Sequence, residues 1–553
     1  MKKLFIKQSR NKVAAALTSL ILALVLLSCG NNREQPVQQP AQFVQPPNTE
    51  LVLTVHYYRF DGNYTGWNLW SWPYGGNGQG YLFDIQNPDE YGFVTTQVYF
   101  DVNAAAIKEK GVIIRRSESG NDWAEKDITQ DRFTESNEIW LVQNDPTVYT
   151  EKPDIGEPPV LFAAADSSNT VVFTLLREPA DYSVFAVYDG QRRLAGVSRK
   201  SDDSGTGSPY KAVITLSDRI TDPSKLYTLR DESGGYAECN ITMRNILDAF
   251  FYGGDDLGLT YSRSQSGFKV WSPGAVSISV ALYDNAGTYN AAGKVTNHET
   301  SVLYPMTKDS NTGVWSAVVS GDLAGKYYMY RVTFADGTAT WAADPYARAV
   351  SANGQRMAIV NLTNTNPSGW TPNSKPPFTA GAWQDAVIYE LHVRDFSIDE
   401  NSGMKNKGKF LAFTERGTVN SSGAPTGVDH LVKLGITHVH LLPSYDFASL
   451  NELTVDDPAS SDPKFNWGYD PMHYNVPDGS YSSDPRNPVA RITEFKAMVQ
   501  SLHNAGIRVV MDVVYNHTYE TGTYPFDAIV PGYYYRMTDT GAYANGSGCG
   551  NEV

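Results

Sequence analysis

The sequence is poor in cysteine and short of positive charge. Cys29, Cys239 and Cys549 are the only cysteines among 553 residues, which excludes a disulfide framework and a metal site built from cysteines. The 45 Lys and Arg residues against 60 Asp and Glu residues give a formal net charge of −15. Such a chain is a poor partner for nucleic acid and for anionic membrane surfaces, because like charges repel.

The composition is that of a large globular protein. At 553 residues the chain is long enough for roughly three to five domains. Hydrophobic residues make up 41% of it and aromatic residues 12%, including 34 Tyr and 11 Trp. Aromatic-rich chains with many Gly and Pro turns are often extracellular β-proteins or sugar binders, and the composition favours these classes.

The first residues have the pattern of a signal peptide. Five basic residues precede the apolar run V-A-A-A-L-T-S-L-I-L-A-L-V-L-L-S: Lys2, Lys3, Lys7, Arg10 and Lys12. The run ends in L-L-S-C, which resembles the lipobox of bacterial lipoproteins and implies cleavage after residue 28 and lipidation of Cys29. The expected location is therefore the bacterial cell envelope, as an extracytoplasmic lipoprotein held to a membrane by its lipid. An uncut N-terminal membrane anchor is the alternative.

A Gln- and Pro-rich linker follows over residues 29–50, and residues 51–150 then read as β-strands separated by Gly and Asn turns. Within this stretch, G-W-N-L-W-S-W-P-Y places Trp70 and Trp72 two positions apart. On an extended segment they share one face, where two flat indoles offer a stacking platform for sugar rings. The alternative is that both lie in the core.

Two further β-rich stretches follow. Residues 151–252 carry strand candidates such as V-V-F-T-L-L without recognisable chemistry, so a spacer domain is expected. Residues 253–370 alternate apolar and polar positions between turns, as in G-F-K-V-W-S-P and S-I-S-V-A-L-Y-D. This pattern predicts a β-sandwich.

From residue 371 to 553 strands alternate with helices. The order is strand, helix, strand, helix, strand, which predicts a parallel sheet with helices outside it. The last strand, I-R-V-V-M-D-V-V-Y-N-H over residues 507–517, has the valines of a doubly buried strand but also Asp512, Asn516 and His517. Either Asp512 is a satisfied buried acid, or the strand ends at a polar pocket, where barrel enzymes keep their chemistry.

Motifs in these segments resemble known families. W-N-L-W-S-W, I-I-R-R, D-W-A-E-K-D and D-R-F together resemble the N-terminal starch-binding module of bacterial pullulanases. That resemblance implies that Trp70 and Trp72 stack on an α-glucan while Arg116, or its neighbour Arg115, and Asp127 hold hydroxyl groups. D-L-G-L-T-Y and F-K-V-W-S-P resemble the β-sandwich that precedes the catalytic domain of debranching and branching enzymes.

Three motifs in order, Y-E-L-H-V-R-D-F, N-W-G-Y-D-P and M-D-V-V-Y-N-H, resemble the α-amylase superfamily (glycoside hydrolase family 13) and, within it, type I pullulanases. The implied fold class is multidomain: β-sandwich modules followed by the first three βα units of a truncated TIM (β/α)8 barrel. In this family Tyr469 would stack under a glucose, His517 would bond its primary hydroxyl, and Asp512 would brace the pocket. The implied partners are starch, glycogen and pullulan.

The resemblance implies a starch- or pullulan-debranching hydrolase that cuts α-1,6 bonds with retention. Its nucleophile and acid/base follow the fourth and fifth barrel strands, and no segment of this sequence matches them. No catalytic residue is therefore assigned, both are expected beyond Val553, and the chain is expected to be an inactive N-terminal fragment.

Two other functions remain open: a lipid-anchored, non-catalytic α-glucan-binding protein, and a branching or isoamylase-type relative. No cofactor and no metal site are expected. Calcium is common in the family, but no carboxylate cluster in the sequence supports it.

Overall fold

The computed structural model describes residues 45–105, 109–116, 126–133, 137–143, 145, 147–201, 210–298, 301–372, 374–378 and 383–553. The predicted signal peptide, the lipidation residue Cys29 and most of the linker lie outside these residues. The chain divides into two compact units, Met1–Gly156 and Glu157–Val553. Within the described ranges, none of the helices has the length and apolar character needed to cross a bilayer.

The first unit contains two antiparallel-rich sheets that share one core. One sheet has the order β4-β1-β7 and the other the order β3-β2-β5-β6. Alternate residues of β1, such as Leu53, Val55 and Tyr57, point into the shared core, as period-two alternation requires. The elements are β1 Thr49–Tyr58, β2 Trp67–Pro73, β3 Gln79–Leu82, β4 Val94–Asp101, α1 Val102–Ala105, β5 Lys110–Arg116, β6 Lys126–Phe133 and β7 Glu138–Val142.

The second unit begins with two sheets ordered β11-β10-β14-β15 and β12-β13-β9-β8-β16. Its buried apolar residues belong to the same hydrophobic cluster as those of the sandwich that follows, so the predicted boundary near residue 252 is not a break in the core. The strands are β8 Val160–Ser167, β9 Thr170–Leu175, β10 Phe185–Asp189, β11 Arg192–Arg193, β12 Gly196–Lys200, β13 Tyr210–Leu216, β14 Tyr227–Asp231, β15 Cys239–Asn240 and β16 Thr242–Met243.

The next module is a β-sandwich of two sheets. Their orders are β17-β18-β22-β21 and β20-β19-β23-β24, with β25 pairing on β23. Buried alternate residues such as Phe268, Val280 and Tyr330 fill the space between the sheets. The strands are β17 Gly258–Tyr261, β18 Gln265–Trp271, β19 Ser277–Tyr283, β20 Val302–Pro305, β21 Thr307–Lys308, β22 Val314–Ser320, β23 Tyr327–Thr333, β24 Ala339–Ala342 and β25 Met357–Ala358.

The last part contains a three-stranded parallel sheet in the order β26-β27-β30. Helices connect its strands, so the βαβαβ order expected from the sequence is observed, and a two-stranded antiparallel ribbon, β28-β29, is inserted before the second helix. The elements are β26 Ile388–Leu391, α2 Gly427–Leu434, β27 His438–Leu441, β28 Tyr445–Phe447, β29 Pro471–Pro477, α3 Pro488–Asn504, β30 Arg508–Met511 and α4 Pro525–Ile529.

The third strand of this sheet is shorter and more exposed than the sequence predicts. Residues 507–517 read as one doubly buried strand, but β30 ends at Met511, and the side chains of Val510 and Met511 are 42% and 40% exposed. The valine-rich pattern is misleading because β30 lies at the edge of the described sheet, where only Val509 packs against the helix-side core. The prediction of double burial is therefore wrong for this strand.

Candidate functional site

Polar groups that follow two parallel strands meet at the carboxyl edge of the sheet. The Tyr469 hydroxyl donates a hydrogen bond to Asp512 Oδ2 over 2.8 Å. His517 Nε2 lies 2.8 Å from the main-chain oxygen of Tyr469. The three residues that the family resemblance assigns to sugar binding are therefore neighbours, although Tyr469 is more than 40 positions from the other two.

Local backbone geometry brings Tyr469 to this edge. The loop 465–470 packs against the exit of β27, where a Cβ on Gly468 would lie 2.5 Å from the Pro443 oxygen. Gly468 also has φ +86°, which glycine adopts without strain. On the other side, the Asp512 amide donates to Leu441 O over 3.0 Å and continues the pairing of β30 with β27.

Tyr469 presents an aromatic ring with a fixed polar end. The side chain is 40% exposed, so one part of the ring is open to a ligand. Desolvation, and then the bond to Asp512, raises the pKa of Tyr469 to about 12, which keeps the phenol protonated as a donor at neutral pH. Exposed Trp467 lies two positions away on the same loop. Such rings can stack on the apolar faces of sugars.

His517 lies deeper than the sequence suggests. It is 6% exposed, and its Nε2 donates to the Tyr469 carbonyl, which has no proton to give. In this structure the imidazole therefore holds the Tyr469 main chain. The expected contact of His517 with a primary hydroxyl of the sugar stays a prediction.

A second histidine holds the other end of the same loop. His392, at the exit of β26, is buried, and its Nε2 lies 2.8 Å from Asn466 O and 2.9 Å from the Tyr481 hydroxyl. Burial lowers the pKa of His392 and keeps the ring neutral. His392 lies in the motif Y-E-L-H-V-R-D-F, in which sequence reasoning gave this histidine no individual role; the structure shows that it anchors the loop.

In the first unit, Trp70 and Trp72 lie on one face of β2. Both are half-buried, whereas Leu69 and Ser71, which alternate with them, are completely buried. The ring of Trp72 occupies the space above its cross-strand partner Gly111 where a Cβ would otherwise stand. Neither indole is fully in the core. Their role in α-glucan binding stays a prediction.

The strand register places one of the two candidate arginines on the tryptophan face. Arg115 is paired with Asn68, on the tryptophan face, and its guanidinium carbon lies 4.1 Å from the centroid of the Trp70 ring. Arg116 is paired with Trp67, so it belongs to the opposite face. Arg115 therefore lies beside the platform, and the assignment of Arg116 or Arg115 to glucan hydroxyl groups stays a prediction. Asp127 lies in β6, and its side-chain contacts fall outside the described part of the chain.

A cluster of buried acids lies beneath the ribbon β28-β29. Asp446, Glu452 and Asp478 are almost fully buried, with carboxylate oxygens within 4.8 Å of one another. Arg491 of α3 inserts its guanidinium among them, 3.3 Å from Asp446 and 2.7 Å from Glu452. Sequence reasoning missed this cluster. An arginine on the helix stripe shared with Met498 and Leu502 is the signal that could have found it.

This cluster has a structural role and not a catalytic one. Two carboxylates at short distance are what retaining glycosidases need, but these three groups are shut off from any substrate. Burial raises the pKa of Asp478 to about 7 and that of Asp446 well above its usual range. Arg491 already supplies the counter-charge at the centre of the cluster. The absence of a metal or cofactor stays a prediction.

Comparison with known families finds matches for two modules. Residues 52–150 match the family described as Bacterial pullanase-associated domain. Residues 256–347 match Carbohydrate-binding module 48 (Isoamylase N-terminal domain). These are the two stretches in which the sequence motifs resemble pullulanase-type modules.

The chain is also similar to pullulanases as such. It is 39% identical to the pullulanase of Bacillus subtilis strain 168 over 62% of this chain and 45% of that protein. The solved pullulanase from Bacillus acidopullulyticus superimposes with a TM-score of 0.61 at 34% identity, covering 72% of this chain and 59% of that one. The solved type I pullulanase from Bacillus subtilis strain 168, complexed with maltose, superimposes with a TM-score of 0.55 at 32% identity, covering 73% of this chain and 53% of that one.

The chain thus spans about half the length of these relatives. The likenesses support a pullulanase-type protein of the glycoside hydrolase class, with a carbohydrate-binding module.

Proposed function

We propose that this chain belongs to a debranching glycoside hydrolase that cuts α-1,6-glucosidic bonds of starch or pullulan with retention. In that enzyme the chain supplies the α-glucan-binding surfaces. The observation that carries the proposal is the meeting of Tyr469, Asp512 and His517 at the carboxyl edge of the parallel sheet. A ring open to solvent beside fixed hydrogen-bonding groups is what a pyranose requires. The matches to pullulanase-type modules support the same assignment.

We further propose that the 553 residues bind α-glucans without hydrolysing them. Retaining hydrolysis needs a nucleophile and a proton donor about 5 Å apart on either side of the anomeric carbon. Asp512 is engaged by Tyr469, and Asp470 accepts hydrogen bonds from Asn466 and Ser449. Neither carboxylate corresponds to a catalytic position of the family, so both are assigned to holding the loop.

Purified chain is expected to bind pullulan and amylopectin in affinity electrophoresis and to release no reducing sugar above a boiled control. Turnover that is lost on Asp512→Asn or Asp470→Asn would overturn the assignment of these carboxylates. If neither polysaccharide slows the migration of the chain, the proposed binding function is wrong.

The Trp70–Trp72 platform is proposed as a separate α-glucan site. Stacking on an aromatic side chain is worth about 1–3 kcal/mol per ring in nucleic-acid binders, and the same scale applied to sugars predicts roughly tenfold weaker binding for Trp70→Ala or Trp72→Ala. Tyr91→Ala is the control, because Tyr91 is an exposed aromatic residue of the same unit outside β2. Unchanged affinity of both tryptophan variants, with circular dichroism like that of the parent, would return these side chains to a purely structural role.

A non-catalytic, lipid-anchored α-glucan-binding protein is the second candidate. The tryptophan platform favours it, because that site needs no chemistry. Both candidates share the proposed envelope location, which rests on L-L-S-C and the preceding basic and apolar residues. Mass spectrometry of the N-terminal peptide should show acylated Cys29; an unmodified Cys29 in a chain that still carries Met1 would contradict the anchor.

A further inference from the structure

We propose that Asn551 is a positioning residue for the candidate glucan site, and that the two β modules within residues 157–360 anchor the segment 525–553 that carries it. The proposal rests on the proposed function for the glucan site of Tyr469, Asp512 and His517. It gives a role to residues 157–250, in which the sequence shows no chemistry.

Asn551 clamps a single residue of the strand-exit loop. Its Oδ1 accepts a hydrogen bond from the Thr518 amide over 3.0 Å, and its Nδ2 donates to Thr518 O over 2.8 Å. One side chain therefore binds both main-chain polar groups of Thr518 and fixes the orientation of that residue. Asn551 is 2% exposed, so the Thr518 amide and carbonyl lose a buried partner if the side-chain amide is removed.

Thr518 is the neighbour of His517, and the clamp therefore acts on the imidazole. The ring of His517 reaches Tyr469 O over 2.8 Å, and the Tyr474 hydroxyl donates to His517 O over 2.9 Å. A shift of the main chain at Thr518 moves the ring away from the Tyr469 carbonyl. The orientation of the Tyr469 ring then changes, because it stands on the loop that His517 holds.

The segment that carries Asn551 is fastened to both preceding modules. Ala528, Ile529 and Val530 lie in the core cluster that the two modules share. Two of their carbonyls accept hydrogen bonds from the sandwich of residues 258–358. Ser272 Oγ donates to Ile529 O over 2.6 Å, and Thr340 Oγ1 donates to Ala528 O over 2.8 Å.

Residues 157–250 hold the same segment further along. The Tyr533 hydroxyl donates to Asp248 Oδ1 over 2.8 Å, and Lys211 Nζ lies 2.5 Å from Asp539 Oδ2. The path from these modules to the site runs through segment 525–553 to Asn551, then to Thr518, His517 and the main chain of Tyr469.

The test uses the full chain with Trp70→Ala and Trp72→Ala, which removes the contribution of that platform from the maltotriose titration. The part of the remaining binding that Tyr469→Ala abolishes is assigned to the site of Tyr469, Asp512 and His517. Asn551→Ala is expected to weaken maltotriose binding roughly tenfold and to speed amide hydrogen exchange in residues 465–474 and 512–520. Arg536→Ala is the control: its side chain is 71% exposed and pairs with Glu552 in the same segment. Arg536→Ala should leave the maltotriose affinity and the hydrogen-exchange rates equal to those of the parent.

Asn551→Asp separates a positioning role from a merely structural one through its pH profile. An ionised carboxylate can only accept, whereas a protonated carboxyl can accept from the Thr518 amide and donate to Thr518 O, as the amide of asparagine does. Affinity relative to the parent should therefore recover as the pH falls toward the pKa of the new carboxyl, which burial places above about 4. A constant deficit across pH 4–8 would overturn the clamp.

The outcomes distinguish this inference from the proposed function. If the parent does not bind maltotriose, the proposed glucan site fails, and hydrogen exchange in residues 465–474 still decides the positioning role. Tight binding and slow exchange in Asn551→Ala would overturn the inference while leaving the function intact. A Tyr533→Phe, Asp539→Asn double variant should speed exchange in the same peptides; unchanged exchange would overturn the anchoring part.

Discussion

Removal of Arg491 is predicted to destabilise the second unit strongly. Its guanidinium approaches Asp446 and Glu452 and donates to the main-chain oxygens of Pro477 and Pro485. Arg491→Met keeps most of the side-chain volume but leaves three buried carboxylates without a cation. Removing one partner of such a buried pair costs about 3–5 kcal/mol.

That cost corresponds to a measurable change in melting temperature. The unit that contains the cluster has roughly 400 residues, and an unfolding entropy of about 2.1 cal/mol/K per residue converts 3–5 kcal/mol into about 4–6 °C. Differential scanning calorimetry at pH 7 measures it. Arg486→Met, at an exposed arginine just before α3, is the control and should change stability by less than about 0.5 kcal/mol.

The pH dependence gives a second, independent signature. Burial raises the pKa of Asp478 to about 7 and that of Asp446 well above its usual range, so the folded cluster holds protons that the unfolded chain releases near pH 4. Its contribution to stability is therefore full below about pH 4 and is lost as the pH rises through about 7. Without Arg491 the carboxylates ionise less readily still, so the deficit of Arg491→Met should be smaller at pH 5 than at pH 8.

Two results would refute this reasoning. One is a melting temperature of Arg491→Met within 1 °C of the parent at pH 7. The other is a deficit that is the same at pH 5 and pH 8. A triple variant, Arg491→Met with Asp446→Asn and Glu452→Gln, tests the cause: it should recover part of the loss, because it removes the unpaired charges.

Two further predictions concern single hydroxyl and carboxyl groups. Tyr469→Phe should weaken maltotriose binding by about 1 kcal/mol, roughly fivefold, because the ring stays while its hydrogen bond to Asp512 is lost. Tyr515→Phe is the control. If Tyr469→Phe binds maltotriose as tightly as the parent, the hydrogen bond to Asp512 does not position the ring. Asp344 is completely buried with the Tyr328 hydroxyl 2.6 Å away, and burial raises its pKa to about 6. Protonation of Asp344 therefore stabilises the fold fully below about pH 4, and this stabilisation is lost as the pH rises through 6. Asp344→Asn should remove this pH dependence of the unfolding free energy, which amounts to up to about 3 kcal/mol between pH 4 and pH 6. If urea unfolding shows the same pH dependence in the variant as in the parent, the prediction is wrong.

The sequence by itself determined the local features of this protein. The two-residue period of an extended chain places Trp70 and Trp72 on one face wherever β2 lies. The alternation of strands and helices after residue 371 is equally local, and a crossover through a helix between successive strands makes the sheet parallel. The motif around Asp512 and His517 marked the strand exit at which the candidate site is found.

Only the tertiary structure decided the pairings between distant segments. Arg115 rather than Arg116 stands beside Trp70 because the register of β5 on β2 sets the face, and register follows from packing across the whole sandwich. The exposure of Val510 depends on how many strands flank β30, which its own valines do not encode. Arg491 pairs with Asp446 and Glu452, and Asn551 with Thr518, through chain reversals of tens of residues. There the burial of polar groups selects the partner, and no local sequence period predicts it.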